Sequence, residues 1–112
     1  MTLRQKQSFF VSLVALLIQH ASSLGYELTF GEAYRSPEEA ARLAKAGKGI
    51  ANSLHTSRLA IDLNLFKNGV YLSSTAAHKP LGEWWEAQHP LCRWGGRFND
   101  GNHYSLTHGG RA

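Results

Sequence analysis

The sequence predicts an α+β fold in which helices pack on one face of a small antiparallel sheet. Three observations lead to this prediction: an apolar segment of helical character opens the chain, a helix-start signal stands at Ser36, and residues 58–66 alternate between aliphatic and other side chains. The chain has 112 residues, of which 43% are hydrophobic and 18% charged. This length and composition fit one globular domain, residues 1–112, with a single modest core.

The first segment has two interpretations. Residues 1–8 are basic, residues 9–18 are apolar and Ala21-Ser22-Ser23 supplies small residues, which is the outline of a secretory signal peptide. The same residues also suit an amphipathic helix of the folded domain, since polar residues interrupt the apolar run and Gly25 is a natural helix stop. The apolar run is too short to cross a bilayer as a helix, so no stable membrane insertion is expected.

The next segments indicate a strand and a capped helix. Residues 26–34 are rich in aromatic and β-favouring side chains and are predicted to form a strand. Ser36 is placed to cap a helix, Pro37 suits the first helical position, and Glu39 completes a capping box. We expect this helix to end near Ala46 and an irregular stretch to follow.

A second strand is predicted from Arg58 onward, because one face of the alternation carries only aliphatic residues. These are Leu59, Ile61, Leu63 and Leu65. Lys67-Asn68-Gly69 then indicates a hairpin turn, and residues 70–72 would form the returning strand.

The last third of the chain predicts a short helix, a glycine-rich loop and a final strand. The helix is expected over residues 80–88, with one of Trp84 and Trp85 in the core and the other at the rim of a cleft. Residues 94–96, Trp-Gly-Gly, open the loop, and residues 104–106 would form the strand.

The histidines and aspartates of the second half form a pattern that suits a metal ion. The chain carries Ser53-x-His55, then Asp62 seven residues after His55, and then Asp100-x-x-His103. These two aspartates are the only ones in the chain. Two imidazoles and one carboxylate suit zinc and leave a coordination position open for catalysis. Because an extended link would separate His55 and Asp62 by roughly 20 Å, the chain must turn between them if both bind one ion, within Thr56-Ser57-Arg58.

Asp100 stands beside the last ligand of this pattern. One zinc ion held by His55, Asp62 and His103 would lower the pKa of its water toward about 7. Asp100 would accept the proton of that water and pass it to a leaving amine. His108, five residues after His103, is a further candidate to line the cleft or orient a ligand. The pattern therefore predicts a zinc hydrolase whose site is carried on the sheet.

Other features of the sequence limit the possible functions. The single Cys92 excludes an internal disulfide and a cysteine-based zinc site, and we interpret it as a buried hydrophobic residue. The net charge of +4 and the pI near 9.5 suit an anionic partner, such as nucleic acid or the carboxylates of the bacterial cell wall. The basic residues are scattered, so nucleic acid is not an expected partner. Glu86-x-x-His89 has helical metal-ligand spacing, but we interpret His89, His20 and His78 as structural, the last in a predicted loop.

Three segments of the chain resemble a known family. S-L-H-T-S-R-L-A-I-D, residues 53–62, looks like the S-x-H-x-x-x-x-A-x-D motif of the zinc peptidases related to D-alanyl-D-alanine carboxypeptidases. W-G-G-R-F-N-D-G-N-H, residues 94–103, is similar to the family's closing W-G-G followed by D-x-x-H, and A-Y-R-S, residues 33–36, resembles its Y-R-S/T segment. The family includes phage endolysins that cleave L-alanyl-D-glutamate bonds, and it shares its fold with the Hedgehog signalling domain. The small size looks most like the endolysin branch.

This resemblance implies roles for the candidate site residues. It makes the three metal-site residues named above the zinc ligands and Asp100 the general base. Arg35 would hold a substrate carbonyl or carboxylate, with a surface salt bridge to a nearby glutamate as the alternative. Ser53 would bind substrate or brace the site. The family's frequent H-F-E continuation is replaced here by His103-Tyr104-Ser105, which leaves fine specificity open.

The resemblance also implies a substrate and a location. The substrate would be a stem peptide of bacterial peptidoglycan, cut at the L-alanyl-D-glutamate bond if the protein is of the endolysin type. It would be a monomer made in the cytoplasm without a signal peptide, with residues 1–24 as a domain helix, and it would reach the cell wall during phage lysis. Two alternatives stay open: a D-alanyl-D-alanine carboxypeptidase exported through the N-terminal segment, and a non-catalytic zinc-stabilised module that binds the cell wall.

Overall fold

The computed structural model describes residues 1–111 and contains three α-helices, five strands and two short 3-10 helices in that range. The elements are α1 (Leu3–Ser23), β1 (Glu27–Phe30), α2 (Pro37–Lys45), β2 (Ala60–Lys67), β3 (Val70–Leu72), α3 (Thr75–Gln88), β4 (Cys92–Trp94) and β5 (His103–Leu106). All five strands join in one antiparallel sheet, with the order β1-β2-β5-β4 and β3 paired to the end of β2. The predicted α+β fold is confirmed.

The first helix packs its apolar stripe into the core. Its buried residues recur every three or four positions and so lie on one face: Phe10, Leu13, Val14, Leu17 and Ala21. The Phe10 ring meets Trp85 of α3 edge to face, with ring centroids 5.8 Å apart. Residues 3–23 therefore form a helix of the domain. Along residues 1–111, no helix combines the length and apolarity that crossing a bilayer requires.

The strand predicted over residues 26–34 is shorter than expected. β1 ends at Phe30, and the chain continues beside β2 through two backbone hydrogen bonds. The amide of Gly31 donates to the carbonyl oxygen of Asp62, and the amide of Asp62 donates to that of Glu32, both at 2.8 Å. A side chain at Gly31 would begin 3.0 Å from the Asp62 carbonyl oxygen, so the close approach favours glycine. The segment then turns away and carries Ala33 and Arg35 over the sheet.

The second helix begins and ends as predicted, but its capping box is incomplete. Ser36 Oγ accepts a hydrogen bond from the amide of Glu39 at 3.0 Å. The Glu39 carboxylate does not return to the Ser36 amide; it pairs with Arg42 on the next turn. α2 ends at Lys45, and Gly47 follows with a positive φ of 72°.

The hairpin between β2 and β3 is confirmed. Lys67 pairs with Val70, so the turn consists of Asn68 and Gly69, whose φ angles are 52° and 76°. Positive φ at both positions is the type I′ geometry that matches the twist of a hairpin. The predicted aliphatic face is also confirmed, because all four of its residues are buried: Leu59 directly before β2, and Ile61, Leu63 and Leu65 within it.

The third helix starts five residues earlier than predicted. Ser74 caps it by accepting from the amide of Ala77, and Pro80 lies inside the helix, where it removes one hydrogen bond to the carbonyl of Ala76. The predicted helix start at Pro80 is wrong, because Ser74 caps the helix earlier in the chain. His78 is consequently a buried helix residue, 2% exposed, and not part of a loop.

The end of α3 and the strand after it complete the core. Trp85 is fully buried, as expected of one of the two tryptophans. Trp84 stacks on His20 of α1, with centroids 4.7 Å apart, and does not lie at the rim of the cleft. β4, which the sequence did not indicate, pairs with β5 and buries Cys92.

Candidate metal centre

The three predicted ligands come from three different elements. His55 lies in a 3-10 helix, Leu54–Ser57, which ends at Arg58 in the left-handed conformation with φ 56°. This is the turn expected between His55 and Asp62, and it folds the histidine back over β2. Asp62 is directly opposite His103 in the ladder between β2 and β5. Sheet register and one tight turn therefore bring the three side chains together.

The ligand atoms have spacings that suit zinc. One atom from each of His55, Asp62 and His103 lies within 4.8 Å of the other two. Asp62 Oδ1 is 3.3 Å from His55 Nε2 and 3.2 Å from His103 Nδ1. A tetrahedral zinc ion with bonds of about 2.0–2.1 Å holds its ligand atoms roughly 3.3 Å apart. Two nitrogens and one oxygen also form the mixed donor set of catalytic zinc sites, so the residues fit the ion.

A backbone carbonyl fixes the orientation of His55. His55 Nδ1 donates to the carbonyl oxygen of Ala33 at 2.9 Å, so Nε2 is the nitrogen that can bind a metal once its own proton is released. Nε2 is also the nitrogen that faces Asp62. An imidazole held in this way is oriented for a metal before any ion arrives. The bend after β1 thus serves the site by placing Ala33.

The electrostatics of the three residues favour an ionised Asp62. Burial by itself opposes ionisation, but hydrogen bonds from His103 and His55 outweigh it and lower the pKa of Asp62 to about 2. For His55, burial works toward a lower pKa, yet Asp62 and the Ala33 carbonyl raise the pKa overall. A carboxylate held between two imidazoles is a negative centre that attracts a cation.

Asp100 is carried beside the ligands by the second 3-10 helix, Gly95–Phe98. Its amide donates to the Gly95 carbonyl at 3.0 Å, and its own carbonyl accepts from the amide of His103 at 3.1 Å. The carboxylate Oδ2 lies 3.9 Å from His103 Nδ1, and the side chain is 57% exposed. Asp100 is therefore next to the candidate ligands and exposed to solvent, which a group that exchanges protons with a substrate requires.

The Trp-Gly-Gly segment anchors this loop. Trp94 Nε1 donates to the carbonyl oxygen of Gly101 at 2.7 Å. The indole lies so close to Gly82 of α3 that a side chain there would begin 2.0 Å from a ring atom. The loop that carries Asp100 is thus tied to α3 through the partly buried indole of Trp94.

A cleft of about 600 Å³ opens over the centre. Arg35, Ser53, Asp100 and the three candidate ligands all line it, together with Lys48, Ile50 and Phe98. The sequence had not singled out these last three. Ile50 and Phe98 are 60% and 69% exposed, and large apolar side chains that lie exposed beside a cleft are candidates for contact with a substrate. In the sequence, the one indication that these residues could belong to the site is their position in glycine-containing loops next to the motifs.

Arg35 forms the salt bridge considered as the alternative to a substrate role, and it also lines the cleft. Its Nε donates to the carboxylate of Glu32, and its side chain, 13% exposed, lines the cleft. Within residues 1–111 only Nε of this guanidinium has a hydrogen-bond partner, so the terminal nitrogens stay available to the cleft. The ion pair with Glu32 therefore positions the guanidinium as well as partly neutralising it.

Ser53 and His108 are placed differently. Ser53 is buried, and its Oγ accepts from the amide of His55 at 3.2 Å, so it braces the turn that carries the ligand. His108 does not line the cleft; its Nδ1 lies 3.2 Å from Lys6 Nζ, and its backbone pairs with Arg111. Arg111 in turn donates to the carbonyl of Asn52 at 2.9 Å. The turn of residues 108–111 therefore stabilises the segment that carries Ser53.

The remaining candidates have structural contacts. Glu86 accepts from the amide of Trp94 at 3.1 Å and pairs with Arg97, while His89 Nδ1 accepts from the amide of Leu91. These two residues therefore stabilise the end of α3. Cys92 is fully buried, and burial raises the pKa of its thiol to about 11, which disfavours the reactive thiolate.

Comparisons with known proteins indicate the family and the fold of the chain. Residues 46–106 match the sequence profile of a peptidase family described as D-alanyl-D-alanine carboxypeptidase. The fold is similar to the crystal structure of Serratia marcescens L-Ala D-Glu endopeptidase ChiX, with a TM-score of 0.75 and 19% sequence identity over 89% of this chain and 79% of that chain. None of the curated protein sequences matches this chain. Since the profile covers more than half of the sequence, the protein belongs to the D-alanyl-D-alanine carboxypeptidase family of peptidases.

Proposed function

We propose that this protein is a zinc-dependent peptidase that hydrolyses the L-alanyl-D-glutamate bond in the stem peptide of bacterial peptidoglycan. The observation that carries the proposal is the convergence of His55, Asp62 and His103 in an open cleft, with the exposed carboxylate of Asp100 beside them. Membership of a peptidase family supports the reaction class. The similarity in fold to an L-Ala D-Glu endopeptidase motivates the choice of bond.

The residues of the cleft would have different roles in the reaction. His55, Asp62 and His103 would hold the zinc ion, which supplies Lewis-acid chemistry by polarising a carbonyl and lowering the pKa of water toward about 7. Asp100 would take a proton from the attacking water and return it to the leaving amine. Arg35, held by Glu32, would stabilise the negative charge that develops on the carbonyl oxygen.

The charges of the cleft suit an anionic stem peptide. Arg35 and Lys48 both line the cleft. Stem peptides of peptidoglycan contain free carboxylates, and two cations at the cleft would attract them. The net charge of +4 has the same sign and would draw the protein to the anionic wall.

A carboxypeptidase is the second candidate, because the matching family profile is described by that activity. A D-alanyl-D-alanine carboxypeptidase requires the free C-terminal carboxylate of its substrate, whereas an endopeptidase does not. Amidating the C-terminus of a synthetic stem peptide would abolish cleavage by the carboxypeptidase and leave cleavage at the L-alanyl-D-glutamate bond in place.

We also propose that the protein is made in the cytoplasm, keeps residues 3–23 and acts on the cell wall during phage lysis. The support is that Leu17 and Ala21 of α1 are fully buried in the core, so cleavage after this segment would remove part of that core. Intact mass measurement of the protein recovered from lysing cells tests this proposal, since removal of a signal peptide would shorten the chain by the mass of α1.

The decisive experiment is digestion of purified peptidoglycan by the zinc-loaded protein, followed by mass spectrometry of the fragments. New L-alanine C-termini paired with D-glutamate N-termini are the expected result. Release of free D-alanine would replace the endopeptidase with the carboxypeptidase. Asp100→Ala serves as the inactive control, and fragments that appear equally with this variant would overturn the proposed mechanism.

A further inference from the structure

A second pocket adjoins the catalytic cleft, and apart from Asp100 its residues have no part in the reaction just described. It has a volume of about 380 Å³, and Asp100 lines both spaces. This volume lies within the range of roughly 300–1,000 Å³ that is ordinary for ligand pockets. The other residues used in the argument below are Tyr71, Ser73, Thr75, His78, Asn99 and Asn102.

A buried hydrogen bond between Tyr104 and His78 determines which nitrogen of the His78 ring carries the hydrogen. The Tyr104 hydroxyl is fully buried, and its partner is His78 Nδ1 at 2.9 Å. Among residues 1–111 the hydroxyl makes no other hydrogen bond, so its hydrogen must point to His78, and Nδ1 must accept. The imidazole hydrogen therefore sits on Nε2. Burial lowers the pKa of His78, which keeps the ring neutral in this tautomer at neutral pH.

The Nε2–H group of His78 is a candidate donor to a ligand. It makes no hydrogen bond within residues 1–111, yet no buried side-chain nitrogen or oxygen there lacks a partner. The Nε2–H group is therefore the polar group of the ring that a ligand would satisfy, although the residue as a whole is only 2% exposed. His78 is one of the residues that line the pocket. An oriented donor without a protein partner, in a buried residue that lines a pocket, is a group prepared for a ligand.

The rest of the lining is polar but carries no cation. Thr75 Oγ1 donates to Asn99 Oδ1 at 2.9 Å, which fixes the amide group so that its NH₂ points away from Thr75. Ser73 and Asn102 add a hydroxyl and an amide, and Asp100 adds a carboxylate that accepts. Arg35 and Lys48, by contrast, lie in the neighbouring cleft. The pocket therefore offers both donors and acceptors to a ligand that need not be charged.

One aromatic ring completes the pocket. Tyr71 is 55% exposed, and its ring packs against Phe66 with centroids 5.3 Å apart, so it is held on the hairpin while it remains open to the pocket. An exposed aromatic face binds the C–H groups of a flat, partly apolar ligand. A sugar ring has such a face, together with hydroxyl groups that both donate and accept.

Resting on the proposed function, we propose that this pocket binds an uncharged N-acetylated sugar of the glycan strand to which the stem peptide is attached. The sugar would stack on Tyr71, and its oxygen atoms would accept from His78 Nε2 and from the hydroxyl of Ser73. Since Asp100 lines both spaces, peptide and sugar of one substrate molecule reach the cleft and the pocket together. The protein then recognises the junction between peptide and glycan, and a free stem peptide is the poorer substrate.

The first test compares two substrates that differ only in the sugar: an N-acetylated stem peptide, and the same peptide joined to its disaccharide. We expect the disaccharide to raise kcat/KM about tenfold, in line with one stacking contact and two hydrogen bonds. Tyr71→Ala should remove this advantage and leave cleavage of the sugar-free peptide unchanged. Val70→Ala is the matched control, because Val70 is the exposed neighbour on β3 and does not line the pocket.

The second test measures sugar binding without any reaction. The disaccharide, with the carboxyl group that bears the peptide capped as an amide so that it stays uncharged, is titrated into the metal-free protein, and the NMR signals of the His78 ring and of the Asn102 side chain are followed. Shifts that saturate in the wild type and in Val70→Ala, but not in Tyr71→Ala, are expected. The proposal is overturned if the disaccharide causes no shift, or if the two substrates are cleaved equally. Should neither substrate be cleaved, the proposed function fails, and the titration alone decides whether the pocket binds sugar.

Discussion

Asp62 and His103 face each other across the ladder between β2 and β5, and the carboxylate Oδ1 lies 3.2 Å from the imidazole Nδ1. This relationship depends on strand register. A slip of one residue would turn every side chain of β2 to the opposite face and bring Asp62 toward the apolar core. Leu59, Leu63 and Leu65 are fully buried and oppose such a slip. The core of the sheet thus sets the geometry of the candidate metal centre.

Zinc should stabilise the wild-type protein against unfolding. An ion that binds only the folded state at 100 times its Kd adds about 2.7 kcal/mol to the free energy of unfolding. His55→Ala should lose this gain, because one of three ligands is removed, and calorimetry with and without zinc measures it. His108→Ala, a histidine outside the cleft, should keep the full gain. Equal stabilisation of both variants would show that the ion binds elsewhere.

Asp100→Asn should separate metal binding from catalysis. The amide keeps the size of the carboxylate but cannot accept a proton, so kcat should fall by about 10²–10⁴. The zinc content and the melting temperature should stay close to those of the wild type, since Asp100 is largely exposed and is not one of the three clustered ligands. Glu83→Gln, which neutralises another exposed acid, is the control. An Asp100→Asn protein with wild-type kcat would contradict the assigned role.

Arg35→Lys should reduce kcat/KM by roughly tenfold to a hundredfold. Lysine keeps the charge but lacks the second nitrogen group, so it cannot bind Glu32 through one side and substrate through the other. Glu32→Gln should have a smaller effect in the same direction, because the guanidinium remains and only its orientation is loosened. Steady-state kinetics of both variants test this order. A larger loss in Glu32→Gln than in Arg35→Lys would reverse the assigned roles.

Gly95→Ala should weaken the site by moving the loop that carries Asp100. A Cβ atom at this position would lie 2.3 Å from the carbonyl oxygen of Asp100, so the backbone must shift. We expect a drop in zinc affinity and in kcat, measured by titration and by kinetics. Gly25→Ala is the control, because Gly25 has a φ of +85°, which makes alanine unfavourable there too. Gly25 lies outside the cleft. Both variants should lose stability, and only Gly95→Ala should lose zinc.

The buried His78 should make the protein less stable in acid. Burial lowers its pKa in the folded state, so the unfolded chain binds the proton more readily. The stability that depends on a neutral His78 is complete above the unfolded pKa of about 6.5 and is lost as the pH falls from there through the lower folded pKa. His78→Gln should show a shallower loss between pH 8 and pH 5 in metal-free urea unfolding. Parallel curves for variant and wild type would rule out this contribution.

Local signals in the sequence predicted local structure well where one residue decides the conformation. The Ser36 cap, the Asn68-Gly69 turn and the reversal near Arg58 depend on neighbours within a few residues, and all three are present. The start of α3 was missed because Pro80 is also a strong helix-start residue, and the Ser74 cap competes with it. The short β4 gave no signal, because three residues gain their strand conformation only by pairing with β5.

The sequence by itself determined the family, the fold class and the four residues at the centre of the site, because two spaced motifs hold them and no other aspartate competes. Only the tertiary structure decided what surrounds them. Ala33 reaches His55, Lys48 enters the cleft and His108 stays outside it through contacts between distant segments. The pocket beside Asp100 depends on such contacts as well, since it joins the hairpin, the start of α3 and the last loop. Packing of the whole chain brings these parts together, and no local pattern records it.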